Sequence, residues 1–226
     1  MPRTRISQCS NRFEEELSRD GYRFIAGVDE VGRGALAGPV VAGAVILNPS
    51  RIPAGLDDSK KLTRRQRERL AIELEECALA IAVARIEPEQ IDTLNIHQAS
   101  LKAMVVAIGM LEPMPEFLLI DGFPLKSMTI PQRAVIGGDA LSVSIAAASI
   151  VAKVARDRIM NDYDTQWPGY GFAQNVGYAT SAHLSGLRRL GPTPIHRRSF
   201  NGVLTPVQLE LPMEPEPPTG VSSKDG

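Results

Sequence analysis

The sequence predicts an α/β fold: a mixed β-sheet flanked by helices, with a further helical region towards the C-terminus. Two observations lead there. Apolar runs of strand length come first as a neighbouring pair, then alternate with segments whose apolar residues recur at helical spacing. In addition, 43% of the 226 residues are hydrophobic, which supplies a core for one domain of ordinary size. No internal repeat suggests an array.

Residues 1–21 read as an N-terminal extension, a polar helical lead-in carrying Glu14, Glu15 and Glu16 without a clear apolar face. Residues 22–29 and 38–47 read as two strands around a glycine-rich turn, a hairpin whose first strand ends on Asp29 and Glu30. Thr63 and Gln66 fit a capping box, and Leu70, Leu74, Cys77 and Ile81 mark one helical face. Residues 81–86 suit a third strand. Leu101, Met104, Val105 and Ile108 predict a helix over 95–111. Residues 117–121 form a short buried strand ending on Asp121, and 134–136 another that runs into Gly137, Gly138 and Asp139. A long helix over 141–163 contains Ala146, Ala147 and Ala148, small enough to lie close to a sheet. After Leu204, five prolines interleaved with Glu210, Glu214 and Glu216 cannot build a core. The organisation expected is an extension (1–21), a catalytic domain (22–203) and a flexible tail (204–226).

The chemistry lies in the carboxylates. Asp29 with Glu30, Asp121 and Asp139 each stand at or just beyond the C-terminal end of an apolar strand. Hard divalent cations favour oxygen ligands, and two of them about 4 Å apart can activate water and stabilise the leaving oxygen of a phosphodiester. Converging carboxylates without a cation would repel one another. Taken singly, Asp139 reads as a cap for the following helix and Asp121–Gly122 as a turn. Gly32-Arg33-Gly34 can bring backbone groups close to a ligand, and a sugar 2′-hydroxyl is the group that separates RNA from DNA. It lacks the spacing of a Walker loop.

Net charge is −1, but its distribution matters more. Residues 51–70 carry seven basic against three acidic side chains, and residues 151–200 have the same balance; between them, 71–150 carry four against ten. Basic stretches flanking an acidic middle suit a polyphosphate beside bound cations, or simply solvated helix faces. Cys9 and Cys77 make neither a disulfide framework nor a zinc pattern. With no signal-peptide pattern and no apolar run of membrane-spanning length, the expectation is a soluble, cytoplasmic protein without a membrane partner.

Further blocks occur in order: Val-Asp-Glu-Val-Gly-Arg-Gly (28–34), Asp-Ser-Lys-Lys-Leu (58–62), Ile-Asp-Gly (120–122), Gly138-Asp139, Ser-Ile-Ala-Ala-Ala-Ser-Ile (144–150), Ala152-Lys153, Arg156-Asp157, Tyr-Gly-Phe (170–172), Gly177-Tyr178 and His-Arg-Arg-Ser-Phe (196–200). Together they closely resemble the type 2 ribonuclease H family over about residues 22–203. The resemblance implies an RNase H-like fold and endonucleolytic hydrolysis of the RNA strand of RNA–DNA hybrids. It also implies incision 5′ of single ribonucleotides embedded in duplex DNA, by a two-metal-ion reaction leaving 3′-hydroxyl and 5′-phosphate ends. By motif, Asp29, Glu30, Asp121 and Asp139 match the four catalytic acids that hold Mn²⁺ or Mg²⁺. Gly32, Arg33 and Gly34 match the loop that reads the 2′-hydroxyl. Tyr178 matches the tyrosine that packs on the adjacent deoxyribose; read without the family, it is as well a core tyrosine. Lys60, with Lys61, Lys153, Arg156, Arg197 and Arg198, is expected either to contact phosphate or to serve in structural pairs.

The chain departs from that family twice. Gly137-Gly138-Asp139 stands where Lys-Gly-Asp is common, and Asn175-Val176-Gly177-Tyr178 where His-Lys-Gly-Tyr is common. Each loses a lysine, so weaker DNA affinity or altered metal dependence is expected. In the tail, Gln208-Leu209-Glu210-Leu211 resembles the core of peptides that bind bacterial sliding clamps, with Pro212 where an aromatic usually follows; a weak clamp contact or an ordinary solvated tail are both readings of it. No coiled-coil pattern argues for assembly, so a monomer is expected. Two other classes compete with the hybrid endonuclease: a hybrid-binding protein whose chemistry has lapsed, and a nucleotide switch, which the missing Walker spacing disfavours.

Overall fold

The computed structural model describes residues 9–203. β1 (Ile25–Val31) and β2 (Val40–Ile46) pair antiparallel, and β3 (Ala80–Ile86) adds antiparallel to β2. β4 (Phe117–Asp121) lies parallel to β1 on its other side, with β5 (Gln132–Val135) parallel beyond it. The order in this five-stranded sheet is β3-β2-β1-β4-β5. Because Val28 sits opposite Ile120 in a parallel pair, Asp29 and Asp121 come level one residue later, at the same end of the sheet. That register, and not the strands themselves, brings the two acids together.

Alternation divides the sheet's residues between two layers. Ala26, Val28, Leu118 and Ile120 pack towards α4 (Ile96–Gly109), which follows the short α3 (Pro88–Leu94). On the opposite face lies α5 (Val143–Gln166), with α2 (Arg64–Cys77) packed against it through Leu70, Leu74, Ala147 and Ile150. The small residues of α5 allow the close approach expected, and two glycines of the sheet complete it. A Cβ on Gly27 would stand 2.0 Å from the Ser144 carbonyl carbon, and one on Gly43 would stand 2.4 Å from the Ala148 oxygen.

The capping box at α2 forms as expected: Thr63 Oγ1 accepts from Gln66 N–H. α4 begins at Ile96, where the Asn95 side chain accepts from Gln98 N–H. The strand expected over 134–136 forms two residues earlier, leaving Ile136 89% exposed. Pairing with β4 settled that register, which an apolar tripeptide could not. Beyond α5, α6 (Phe172–Asn175) and α7 (Ser181–Leu190) pack Phe172, Tyr170, Leu187 and Ile195 against Ala37 and Met160, building the helical region that follows the sheet.

The lead-in differs from its reading. α1 (Arg12–Arg19) has an apolar face: Leu17 is buried with Ile25, Leu119, Val135 and Ile145, and Phe13 packs beside it. Two apolar positions in eight residues were too few to show a period. The helix also carries Glu14, whose carboxylate accepts from Ser142 Oγ at 2.6 Å and Ser144 N–H at 3.0 Å, anchoring the start of α5. Among the described residues, no helix is long and apolar enough to cross a membrane.

Candidate active site

Four carboxylates gather where β1 and β4 end. Asp29 is buried, and both burial and the charges of Glu30, Asp121 and Asp139 push its carboxyl well above the ordinary range, against a hydrogen bond from Ser149. Glu30 points to the other face by alternation. Burial raises it too, while Arg33 opposes the shift by donating from Nη1 to Oε1 at 2.9 Å. Asp121 is raised by burial and by Asp139, although its Oδ1 accepts Gly138 N–H at 2.7 Å. That bond ties the β4 end to the turn bearing Asp139. Asp139 lies in a 3-10 turn (Gly138–Ala140) and does not cap α5; Ser142 does.

Lys60 joins this group. Its Nζ lies 2.9 Å from Asp139 Oδ2 and 3.7 Å from Asp58 Oδ1. Burial would lower its affinity for the proton, but the bond to Asp139 and the charges of Asp139, Asp58 and Asp29 outweigh that and raise it. Gly137, where a lysine was expected, has a φ of +66° and open space around the place of a Cβ. An ammonium nevertheless reaches Asp139, from the loop before α2.

The donor set fits a divalent cation. Among the described residues, no three His, Cys, Asp or Glu side chains are drawn tightly enough together to hold an ion; Arg33 and Lys60 supply the neighbouring positive charge. Yet Glu30 Oε2 is buried with no hydrogen-bond partner among the described residues. An all-oxygen set in which Asp29, Glu30 and Asp121 have raised proton affinities, with an orphaned carboxylate oxygen on Glu30, is what a hard cation would relieve.

The glycine loop stands beside this cluster, held from behind. Gly32 has a φ of +92°, and a Cβ there would stand 2.2 Å from Arg156 Nε. Arg156, expected to contact phosphate or to serve in a structural pair, has a structural role, but on backbone carbonyls and not with an acidic side chain. It is fully buried and donates to the carbonyls of Pro39, Ala37 and Val176 at 3.0, 3.2 and 2.9 Å. Arg197 is also buried, donating to Gly38 and Arg33 carbonyls at 2.9 Å each. Desolvation lowers it to about 9, still a cation at neutral pH. Tyr178 is 38% exposed, not a core tyrosine. Its ring comes within 3.8 Å of a Cβ placed on Gly34, and Arg156 stands 5.7 Å from its centroid. The remaining cations are structural pairs or peripheral: Lys61 bonds Asp57, Lys153 bonds Asp157, and Arg198 is engaged through its backbone N–H to Asp92.

A histidine pair supports Tyr178 from below. Thr193 N–H donates to His196 Nδ1 at 2.9 Å, so that nitrogen is bare and neutral His196 carries its proton on Nε2. Nε2 then donates to His183 Nε2 at 3.1 Å, and His183 Nδ1–H donates to the Tyr178 carbonyl at 2.9 Å. Burial lowers both imidazoles, His196 to about 4 with the help of His183. No local sequence pattern joins His183 to His196.

Residues 26–203 match the family model for ribonuclease HII. The chain belongs to the ribonuclease HII family. A ribonuclease HII of Geobacter metallireducens is 52% identical over 84% of this chain and 90% of its own. Among solved structures, the ribonuclease H2 of Pyrococcus horikoshii OT3 superposes with a TM-score of 0.69 at 27% identity, over 80% of this chain and 95% of that one. The RNase HII in a PCNA complex from Archaeoglobus fulgidus gives 0.67 at 26%, over 78% and 94%. The fold is therefore RNase H-like, and the protein is an RNase H endoribonuclease acting on RNA–DNA hybrids. Within that enzyme, the carboxylate cluster, the Gly32–Gly34 loop and Tyr178 form one continuous surface at the end of the sheet.

Proposed function

We propose that the enzyme incises duplex DNA on the 5′ side of a single embedded ribonucleotide, as well as cutting longer hybrids, leaving 3′-hydroxyl and 5′-phosphate ends. One observation carries this reading: the carboxylate cluster and the exposed Tyr178 face the same glycine loop, so a reacting phosphate and the sugars beside it can be engaged together. Asp29, Glu30, Asp121 and Asp139 would hold two divalent cations, Mn²⁺ or Mg²⁺, which supply an activated water and stabilise the leaving oxygen. The backbone of Gly32 and Gly34 would hydrogen-bond the 2′-hydroxyl of a strand docked there, and Arg33 holds Glu30 in place. The flat Tyr178 ring packs on the neighbouring deoxyribose and crowds a ribose hydroxyl. With cations bound to Asp139, Lys60, which pairs with that carboxylate here, would be free to meet a phosphate.

The test is cleavage of matched duplexes: all-DNA, one embedded ribonucleotide, and RNA opposite DNA, across a Mn²⁺ and Mg²⁺ series. Metal-dependent nicking at the ribonucleotide, absent in all-DNA and abolished in folded Asp29→Asn, is expected. Cutting of the hybrid alone would end the embedded-ribonucleotide reading. The reading takes the enzyme as a cytoplasmic monomer, checked by light scattering for mass. The segment 208–211, read as a weak clamp contact, lies outside the described residues; a pull-down with purified clamp, with and without 204–226, decides it.

A further inference from the structure

A groove of about 930 Å³ lies between α4 and the loop 123–127, lined among others by His97, Leu101, Lys102, Phe123 and Lys126. Its loop wall follows directly on the end of β4, where Phe123 N–H donates to the Asp121 carbonyl at 3.1 Å. α4 also begins at this end of the sheet: β3 leaves at Ile86, opposite Val40, next to the Val31–Val41 pair that closes the β1–β2 hairpin. In the sheet order, the loop after β4 lies on one side of β1, and the Gly32–Gly38 loop leading to β2 lies on the other. The groove's 123–127 wall and Tyr178, which neighbours Gly34, therefore lie on opposite sides of β1.

The chemistry of the lining favours one class of occupant. Among the described residues, no acidic side chain lines the groove. Many of the chain's cations are paired with carboxylates, but Lys102 and Lys126 make no ion pair among the described residues. Phe123 is 61% exposed, a large aromatic left in water two residues from a catalytic acid. Unpaired lysines beside an exposed aromatic make the combination that tracks a nucleic-acid backbone and packs on its sugars or bases.

We propose that this groove is a second nucleic-acid subsite, in which Lys102 and Lys126 hold phosphates of the duplex flank facing away from Tyr178 and Phe123 packs against that strand. The inference rests on the proposed action on duplexes with embedded ribonucleotides. It adds a footprint: the enzyme grips the substrate on both sides of the cut, and one grip is independent of the 2′-hydroxyl.

The test uses the full chain, the Lys102→Ala/Lys126→Ala variant and Phe123→Ala, all at exposed positions. The substrates are a long duplex with a central ribonucleotide and versions trimmed from either flank. On the long duplex, the double-lysine variant is expected to raise KM, and its plot of log affinity against log salt should be shallower by roughly 2. Phe123→Ala should weaken binding about tenfold. Trimming one flank, and only that one, should bring wild type and variants together. Unchanged KM and salt slope on the long duplex, or equal effects of trimming either flank, would overturn the proposal. Anisotropy of the labelled duplexes without metal is read in parallel. If wild type fails to nick the ribonucleotide, the proposed function is lost while the groove is still decided by binding.

Discussion

Acidification should weaken this fold through one pair of side chains. His183 and His196 share a single proton across 3.1 Å, and each outer nitrogen is already committed, to the Tyr178 carbonyl and to Thr193 N–H. A second proton would set two N–H groups against each other, with the rings of Tyr170 and Phe172 packed around them. His196 falls from 6.5 to about 4, so the unfolded chain takes up its proton first. Stability is then fully present above pH 6.5 and is lost as pH falls towards 4. At 1.36 kcal/mol per unit, the whole window is worth about 3 kcal/mol, and about 2.5 kcal/mol of it falls between pH 7.5 and 4.5. Asp29, Glu30 and Asp121 act in the opposite sense: their raised proton affinities mean that the folded state gains from acid. The wild-type curve alone therefore mixes two signs. His196→Gln removes one of them. Urea unfolding followed by circular dichroism should show the wild-type advantage over His196→Gln shrinking by about 2.5 kcal/mol across that range. Parallel curves for the two proteins would refute the shared-proton argument.

In the metal-free protein, Asp29→Asn should raise the urea midpoint at neutral pH, because the carboxylate is held above its ordinary proton affinity by burial and its neighbours; a lowered midpoint would count against the electrostatic account. Gly27→Ala places a methyl inside the backbone of α5 and should cost at least about 3 kcal/mol, read by soluble yield and thermal melting. Val176→Lys restores a cation at a left-handed position (φ 43°) where a β-branched residue is strained. It should tighten duplex binding and steepen the salt dependence by about 1, measured by anisotropy over a salt series.

The four acids were legible because each ends or follows an apolar run, and the glycine loop because Gly32-Arg33-Gly34 comes one valine after the first pair. Their convergence was not. It depends on the parallel pairing of β1 with β4, contacts some ninety residues apart that no local pattern encodes. Arg156 and Arg197 were misread for a general reason: arginine is rarely buried, and these two are, on neutral carbonyls. The histidine pair escaped because its members lie on different segments and meet only when α7 and the 193–197 turn fold together. Lys60 was picked out as a phosphate contact or a structural pair, but its partner Asp139 stands 79 residues away and had no local signal.

The two buried guanidiniums have a consequence for how a ligand is judged. Between them they occupy the carbonyls of Arg33, Ala37, Gly38, Pro39 and Val176, so the loop's shape is fixed before anything arrives. A strand docking there spends none of its contact energy on ordering the backbone. Selection on such a surface works by gauge: what does not fit is refused, because the surface has no alternative shape to offer.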